Sequence, residues 1–238
     1  MNKPFTFKQF TVHQNNCAMK IGTDGVLLGA WTPLKSNPFS ILDIGAGNGI
    51  LALMLAQRSN AQVIDAIEID DAAYEQCVGN FENSDWADRL FCYHASLEEF
   101  AEEIEDTYDL IVCNPPFYGE DYKSDNTQRD LARFQDAMPF DHLIESVSKL
   151  LSEDGVFSVI IPFKEEQAFR ELALNFNLYP IQIVHVKGTP TSDIKRSLIA
   201  FSLANSSIPE TSEIIIETSR HQYTEDYVNL TKDFYLKM

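Results

Sequence analysis

From residue 40 onward, short apolar runs of strand length alternate with segments whose apolar residues recur at helical spacing. "SILDIGA" (40–46), "QVIDAIEI" (62–69), "RLFCYHA" (89–95), "YDLIVCN" (108–114) and "GVFSVIIP" (155–162) read as strands. Between them, "ILALMLAQRS" (50–59), "DAAYEQCVGNFENS" (71–84) and "FDHLIESVSKLLSEDG" (140–155), the last closed by glycine, read as helices. Nearly continuous apolar strands alternating with helices imply a parallel sheet covered on both faces. The pattern changes at the end, where "PIQIVHVKG" (180–188) and "RSLIAFSLA" (196–204) are separated by "TPTSDIK", too short for a crossover helix. Those two strands are expected to be antiparallel. The expectation is an α/β, Rossmann-like chain with a seven-stranded, mostly parallel sheet and an antiparallel C-terminal hairpin. No repeat or linker divides it, so residues 1–238 are expected to form one domain: an N-terminal extension (1–35), a core (36–205) and a C-terminal segment (206–238).

Within this frame, "LDIGAGNGILAL" (42–53) sits where the first strand passes into the first helix. Glycines there let the backbone turn tightly and approach a ligand, and the helix N-terminus offers free N–H groups. Gly45, Gly47 and Gly49 form GxGxG, not the dinucleotide GxGxxG. Twenty-one residues beyond Gly47, Glu68 closes "VIDAIE", where a carboxylate can accept hydrogen bonds from both hydroxyls of a ribose. NAD and S-adenosylmethionine both carry such a ribose, so this pair leaves the cofactor open.

Composition narrows the partners. Four cysteines (Cys17, Cys77, Cys92, Cys113) show no CxxC spacing, and five histidines are scattered, which points away from a local metal site and toward reduced, packing cysteines. "MNKPFTFKQF" has no cationic stretch leading into an apolar run, and no segment approaches the ~20 apolar residues of a membrane span. A cytoplasmic chain without membrane or metal is expected. The formal net charge of −18 weighs against a nucleic-acid binder, whose basic face usually supplies affinity. The densest acidic run, "LEEFAEEIEDTYD" (97–109), has helical apolar spacing and reads as a solvated helix face.

The fourth strand ends in Asn114-Pro115-Pro116-Phe117. Proline fixes its own φ and holds the preceding residue extended, so the Asn114 amide and the Pro115 carbonyl are stiffly aimed. A plain strand-terminating turn would need the prolines but neither the amide nor the ring. In an open α/β sheet, ligands sit beyond the carboxyl ends of the strands, so this tetrapeptide and the glycine loop are expected to face one pocket. Here the chain resembles the class I, S-adenosylmethionine-dependent methyltransferases of amino groups, whose signature is NPP followed by Tyr or Phe. An adenine amine is a poor nucleophile because its lone pair is delocalised into the ring. Two acceptors, the Asn114 side-chain oxygen and the Pro115 carbonyl, can hold its hydrogens and align it for in-line attack. Phe117 offers a face on which an unstacked base can lie.

The resemblance extends to "FTFKQFTVHQNNCAMKIGTDGVLLGAW" (5–31), "LALMLAQR" (51–58), "RDLARFQ" (129–135) and "QYTEDYVNLTKDFYLKM" (222–238), which are similar to segments of the bacterial tRNA1(Val) adenine-N6 methyltransferases. That family implies a monomer acting on the adenosine at position 37 of a tRNA, beside the anticodon. By resemblance, Lys20, Gly22, Thr23 and Asp24 cover the methionine end of the cofactor, and Asp43, Ile69 and Asn114 are counted with the cofactor site. Substrate contacts are expected at Phe117 and Tyr118, with Lys123, Arg129 and Arg133 of the following loop and Arg196 of the hairpin at the pocket mouth. One departure stands out: the acid that usually holds the adenine amine after the third strand is replaced by Ser96, a weaker acceptor. Three alternatives remain open. Another amino or amide group could be methylated, such as an rRNA or DNA adenine or a protein glutamine; the glutamine reading usually brings a helical domain ahead of the glycines. A nicotinamide-dependent oxidoreductase is disfavoured by GxGxG and by Asn-Pro-Pro-Phe. A non-catalytic nucleic-acid module is disfavoured by charge.

Overall fold

Alternation along the strands sorts their side chains onto two faces, and each face carries its own core. In the computed structural model, which describes residues 3–15, 17, 20–34, 37–116, 138–205 and 208–238, Ile41, Ile64, Leu110, Val112 and Ile160 bury one face. Leu42, Ile44, Ile111, Cys113 and Val159 bury the other. The strands are β3 (Ser40–Ile44), β4 (Val63–Glu68), β5 (Leu90–His94), β6 (Tyr108–Cys113), β7 (Leu151–Pro162), β8 (Tyr179–Lys187), β9 (Ile194–Ser202) and β10 (Glu210–Ile215). Their spatial order is β10-β8-β9-β7-β6-β3-β4-β5. β1 (Phe5–Thr6) and β2 (Thr11–Val12) form a small separate hairpin, as do β11 (Glu217–Ser219) and β12 (Gln222–Tyr223).

The helices are α1 (Thr23–Trp31), α2 (Ile50–Arg58), α3 (Asp71–Glu82), α4 (Leu97–Glu103), α5 (Phe140–Leu150), α6 (Glu166–Leu174) and α7 (Glu225–Thr231). α1 is buried from Gly25 to Ala30 without a polar face, because it packs against α2, β7 and the C-terminal helix α7. Its close approach to α2 depends on Gly29, where a Cβ would stand 2.7 Å from Met54 Sδ. α2 buries Leu51, Leu53, Met54 and Leu55, each worth about 1.5–3 kcal/mol of apolar transfer.

β3, β4, β5, β6 and β7 are parallel, and β9 runs antiparallel to both β7 and β8, as expected for the hairpin. Two expectations change. The sheet has eight strands, not seven: β10 adds itself parallel to β8, and its first four residues are exposed, so "ETSEII" carried little apolar signal. The helix read as 140–155 ends at Leu150, and β7 begins at Leu151. Gly155 therefore does not close the helix. It lies in a register irregularity in which Tyr108 pairs Leu151 and Leu110 pairs Val156, where a Cβ would meet Leu151 Cδ1 at 2.8 Å and the Ser152 carbonyl at 2.9 Å. A tight bulge, not a helix cap, requires that glycine.

Successive strands run outward from β3 to β5, and the chain then returns to β6 on the other side of β3. The topological switch point thus lies between β3 and β6, where Ile44 pairs Cys113 at the carboxyl ends. The glycine turn follows Ile44 and Asn114 follows Cys113, so both motifs open onto one crevice.

Candidate active site

Gly45, Gly47 and Gly49 all adopt positive φ, at 68°, 57° and 78°. Gly49 is required twice over, because a Cβ there would lie 2.6 Å from Phe81 Cε1 and 2.9 Å from Cys77 Sγ. Gly47 differs: a Cβ there would meet nothing within 4 Å, so only its positive φ favours glycine, and the backbone is bare toward open space. Its N–H donates to Glu68 Oε2 at 2.7 Å, while Glu68 Oε1 accepts the Asp70 N–H at 2.9 Å. Glu68 is buried and joins the end of β4 to the glycine turn. Ile69, beside it, is 56% exposed, an apolar surface at the crevice.

Asp43 lies beneath the turn, fully buried. Its Oδ2 accepts the Ala52 N–H at 3.1 Å, and its Oδ1 has no hydrogen-bond partner among the described residues. Burial pushes its carboxyl from 3.8 to about 7, against the Ala52 hydrogen bond and reinforced by the charge of Glu68. An orphaned buried carboxylate oxygen, a bare glycine backbone and a second carboxylate form a cradle that fits a ligand carrying a cation and a diol.

Asn114 is half-buried and Pro115 buried at the end of β6. The site of a Cβ on Gly25 would stand 3.9 Å from Asn114 Nδ2 and 3.5 Å from Ile50 Cγ2, so the first turn of α1 packs against both motifs. Lys20, Gly22 and Thr23 are exposed at the entry to α1, with Gly22 as its N-cap. Asp24 accepts from Arg196 Nε at 2.8 Å. A residue read as covering the cofactor and one read as touching substrate are thus bonded to each other. Phe117, Tyr118, Lys123, Arg129 and Arg133 lie outside the described residues.

Ser96 serves locally as the N-cap of α4. Its hydroxyl accepts the Glu99 N–H at 3.2 Å and donates to Glu99 Oε2 at 3.0 Å, and that carboxylate accepts the Ser96 N–H at 3.0 Å. The two polar groups that sequence reasoning passed over are Asn48 and Asn80. Asn80 is 1% exposed, in the buried stripe of α3 with Ala73, Cys77 and Phe81, and its amide donates to the Asn48 carbonyl of the glycine turn at 2.8 Å. An amide at an apolar position of an amphipathic helix was the available signal. The four cysteines are free, and no group of three or more potential metal ligands occurs among the described residues. No described helix is long and apolar enough to cross a membrane.

Residues 26–164 match the model of the methyltransferase small domain family. Over its whole length the chain is similar to proteins named tRNA1(Val) (adenine(37)-N6)-methyltransferase: 66% identical to one from Flavobacterium psychrophilum, covering 98% of this chain and 100% of that one. It is 43% identical to one from Bacteroides fragilis, with both chains fully covered. Among solved structures, a "predicted O-methyltransferase" of Agrobacterium tumefaciens superposes with a TM-score of 0.68 at 19% identity, over 89% of this chain and 96% of that one. The ribosomal protein L11 methylase of Lactobacillus delbrueckii does so with 0.52 at 18% identity, over 75% and 76%. At those identities the structures establish the class I methyltransferase fold alone. Full-length identity of 43–66% reaches further: the chain belongs to the tRNA1(Val) (adenine(37)-N6)-methyltransferase family.

Proposed function

We propose that this chain transfers a methyl group from S-adenosylmethionine to the exocyclic amine of an unpaired adenine in tRNA, at position 37 of tRNA1(Val). The relatives' names supply the substrate. The observation that carries the chemistry is the placement of Asn114 and the glycine turn on either side of the β3/β6 switch point.

When bound, the cofactor supplies a methyl group on a cationic sulfur. Glu68 is suited to its ribose, Gly47 to close backbone approach, Ile69 to an adenine face, and Asp43 to the cationic end. The Asn114 side-chain oxygen and the Pro115 carbonyl accept the two hydrogens of the target amine, orienting its nitrogen lone pair toward the crevice. No side-chain nucleophile is needed. The methylated nitrogen is acidic and gives its proton to water, so no general base is required either. Phe117 is assigned as the stacking platform for the base, and substrate is held at the crevice mouth with Arg196. Because bases are reached only when unstacked, an anticodon loop is a better substrate than a helix.

The test is methyl incorporation into a valine tRNA, the same tRNA with adenine 37 replaced, and a protein extract. Labelling of the first alone is expected. Equal labelling of the two tRNAs would overturn the adenine assignment, and labelling of protein alone would move the target to a glutamine amide.

A further inference from the structure

α3 presents two side-chain amides one turn apart, Gln76 and Asn80, toward the N-terminal segment. Asn80 Oδ1 accepts the His13 N–H at 2.8 Å, and its Nδ2 donates to the His13 carbonyl at 2.9 Å as well as to the Asn48 carbonyl. Gln76 Oε1 accepts the Asn15 N–H at 3.2 Å. The spacing matches: four helical residues advance about 6 Å and two extended residues about 6.7 Å, so amides at i and i+4 meet N–H groups at j and j+2. α3 therefore grips this segment by its main chain, and the side chains of His13 and Asn15 take no part in the grip.

Cys17 is half-buried, and burial, with the charges of Glu68 and Asp70, pushes its thiol up to about 11. Ile21 N–H donates to Gln14 Oε1 at 3.0 Å, and the chain enters α1, where Asp24 meets Arg196 and Gly25 packs beside Asn114. Among the described residues, His13 and Asn15 are thus held by α3, and Gly25 lies against both motifs of the crevice.

We propose that Asn80 is a positioning residue: it clasps the main chain at His13 to the glycine turn at Asn48, so that holding residues 13–15 against α3 and holding the methyl donor are one event. The proposal rests on the methyl-donor reading of the crevice. Asn80 touches neither donor nor target; it acts through Asn48 and His13. Its side chain cannot be replaced by the isosteric aspartate, because the His13 and Asn48 carbonyls would then face a carboxylate instead of an amide.

Calorimetric titration of the full chain with S-adenosylhomocysteine and S-adenosylmethionine, with steady-state methylation of tRNA, separates the possibilities. Asn80→Asp and His13→Pro, which deletes the N–H, should each weaken cofactor binding at least tenfold and raise its KM in step, with kcat at saturating cofactor within threefold of wild type. His13→Ala should stay within twofold throughout. Amide exchange of residues 13–15 should quicken in Asn80→Asp without ligand. A folded Asn80→Asp chain that binds within twofold of wild type overturns the clasp; where that variant does not fold, unchanged binding by His13→Pro does so. Equal losses in His13→Ala and His13→Pro also overturn it, since the imidazole would then be what matters. Failure of the unaltered chain to bind either ligand overturns the cofactor reading and the clasp with it, an outcome distinct from the others.

Discussion

Burial sets the chemistry of Asp43 more than its neighbours do. One oxygen has the Ala52 N–H and the other has nothing among the described residues, so the folded chain favours the neutral carboxyl, with its pKa raised from 3.8 to about 7. A carboxylic acid whose folded pKa is raised stabilises the fold fully only while protonated in both states. Stability is then lost as pH climbs from about 4 to about 7, by on the order of 4 kcal/mol if the whole shift is realised. Asp43→Asn, which keeps an acceptor for Ala52 and cannot ionise, should gain stability relative to wild type across that interval and hold a constant advantage above it. Thermal melts of both proteins between pH 4 and 8 measure this; a difference that does not vary with pH would show that Asp43 is not the titrating group. At this scale the sequence was most readable where the chemistry is written in residue type and order. Asn114, the prolines and Glu68 could be placed because their neighbours in the chain fix their position. Asn80 could not, because its partners His13 and Asn48 lie 67 and 32 residues away. Ser96 shows the converse: S-x-x-E was a local capping signal, and α4 uses it as one.

The turn between β3 and α2 separates two reasons for a glycine. Gly47→Ala adds a methyl to open space and bears only the strain of a left-handed conformation, about 1–2 kcal/mol. Gly49→Ala bears that strain and also drives a methyl into Phe81 and Cys77, which adds about 1–3 kcal/mol of overpacking. Chemical denaturation should therefore rank Gly49→Ala well below Gly47→Ala, while Gly47→Ala loses cofactor affinity despite its milder fold defect. Equal denaturation midpoints would contradict the packing assigned to Gly49. Among elements, the parallel strands were legible because burial on both faces leaves unbroken apolar runs. β10 was not, since an exposed edge strand needs no such run. The start of β7 was misread because "LLSEDG" carries the polar residues and glycine of a helix end, and the bulge that uses them is fixed by pairing with Tyr108 and Leu110.

Over the whole molecule, a net charge of −18 leaves few cations for a polyanion. Lys187, Lys195 and Arg196 stand at the adjoining ends of β8 and β9, on the carboxyl edge of the sheet, with Lys164 just after β7. Three of them already face carboxylates: Lys164 with Glu165, Lys187 with Glu213 and Arg196 with Asp24. On the proposed reading, recognition of tRNA on this edge draws more on loop shape and base stacking than on counterion release. The crevice between β3 and β6, rather than the surface charge, is then central to the proposed reaction, and Asn114 is central to the crevice. Single-turnover methylation of valine tRNA by wild type and Asn114→Ala, at saturating cofactor and alongside calorimetry of S-adenosylhomocysteine, tests it directly. A rate reduced at least a hundredfold with cofactor affinity within a few fold of wild type is the expected result; turnover within a few fold of wild type would contradict the role given to Asn114 in holding the amine.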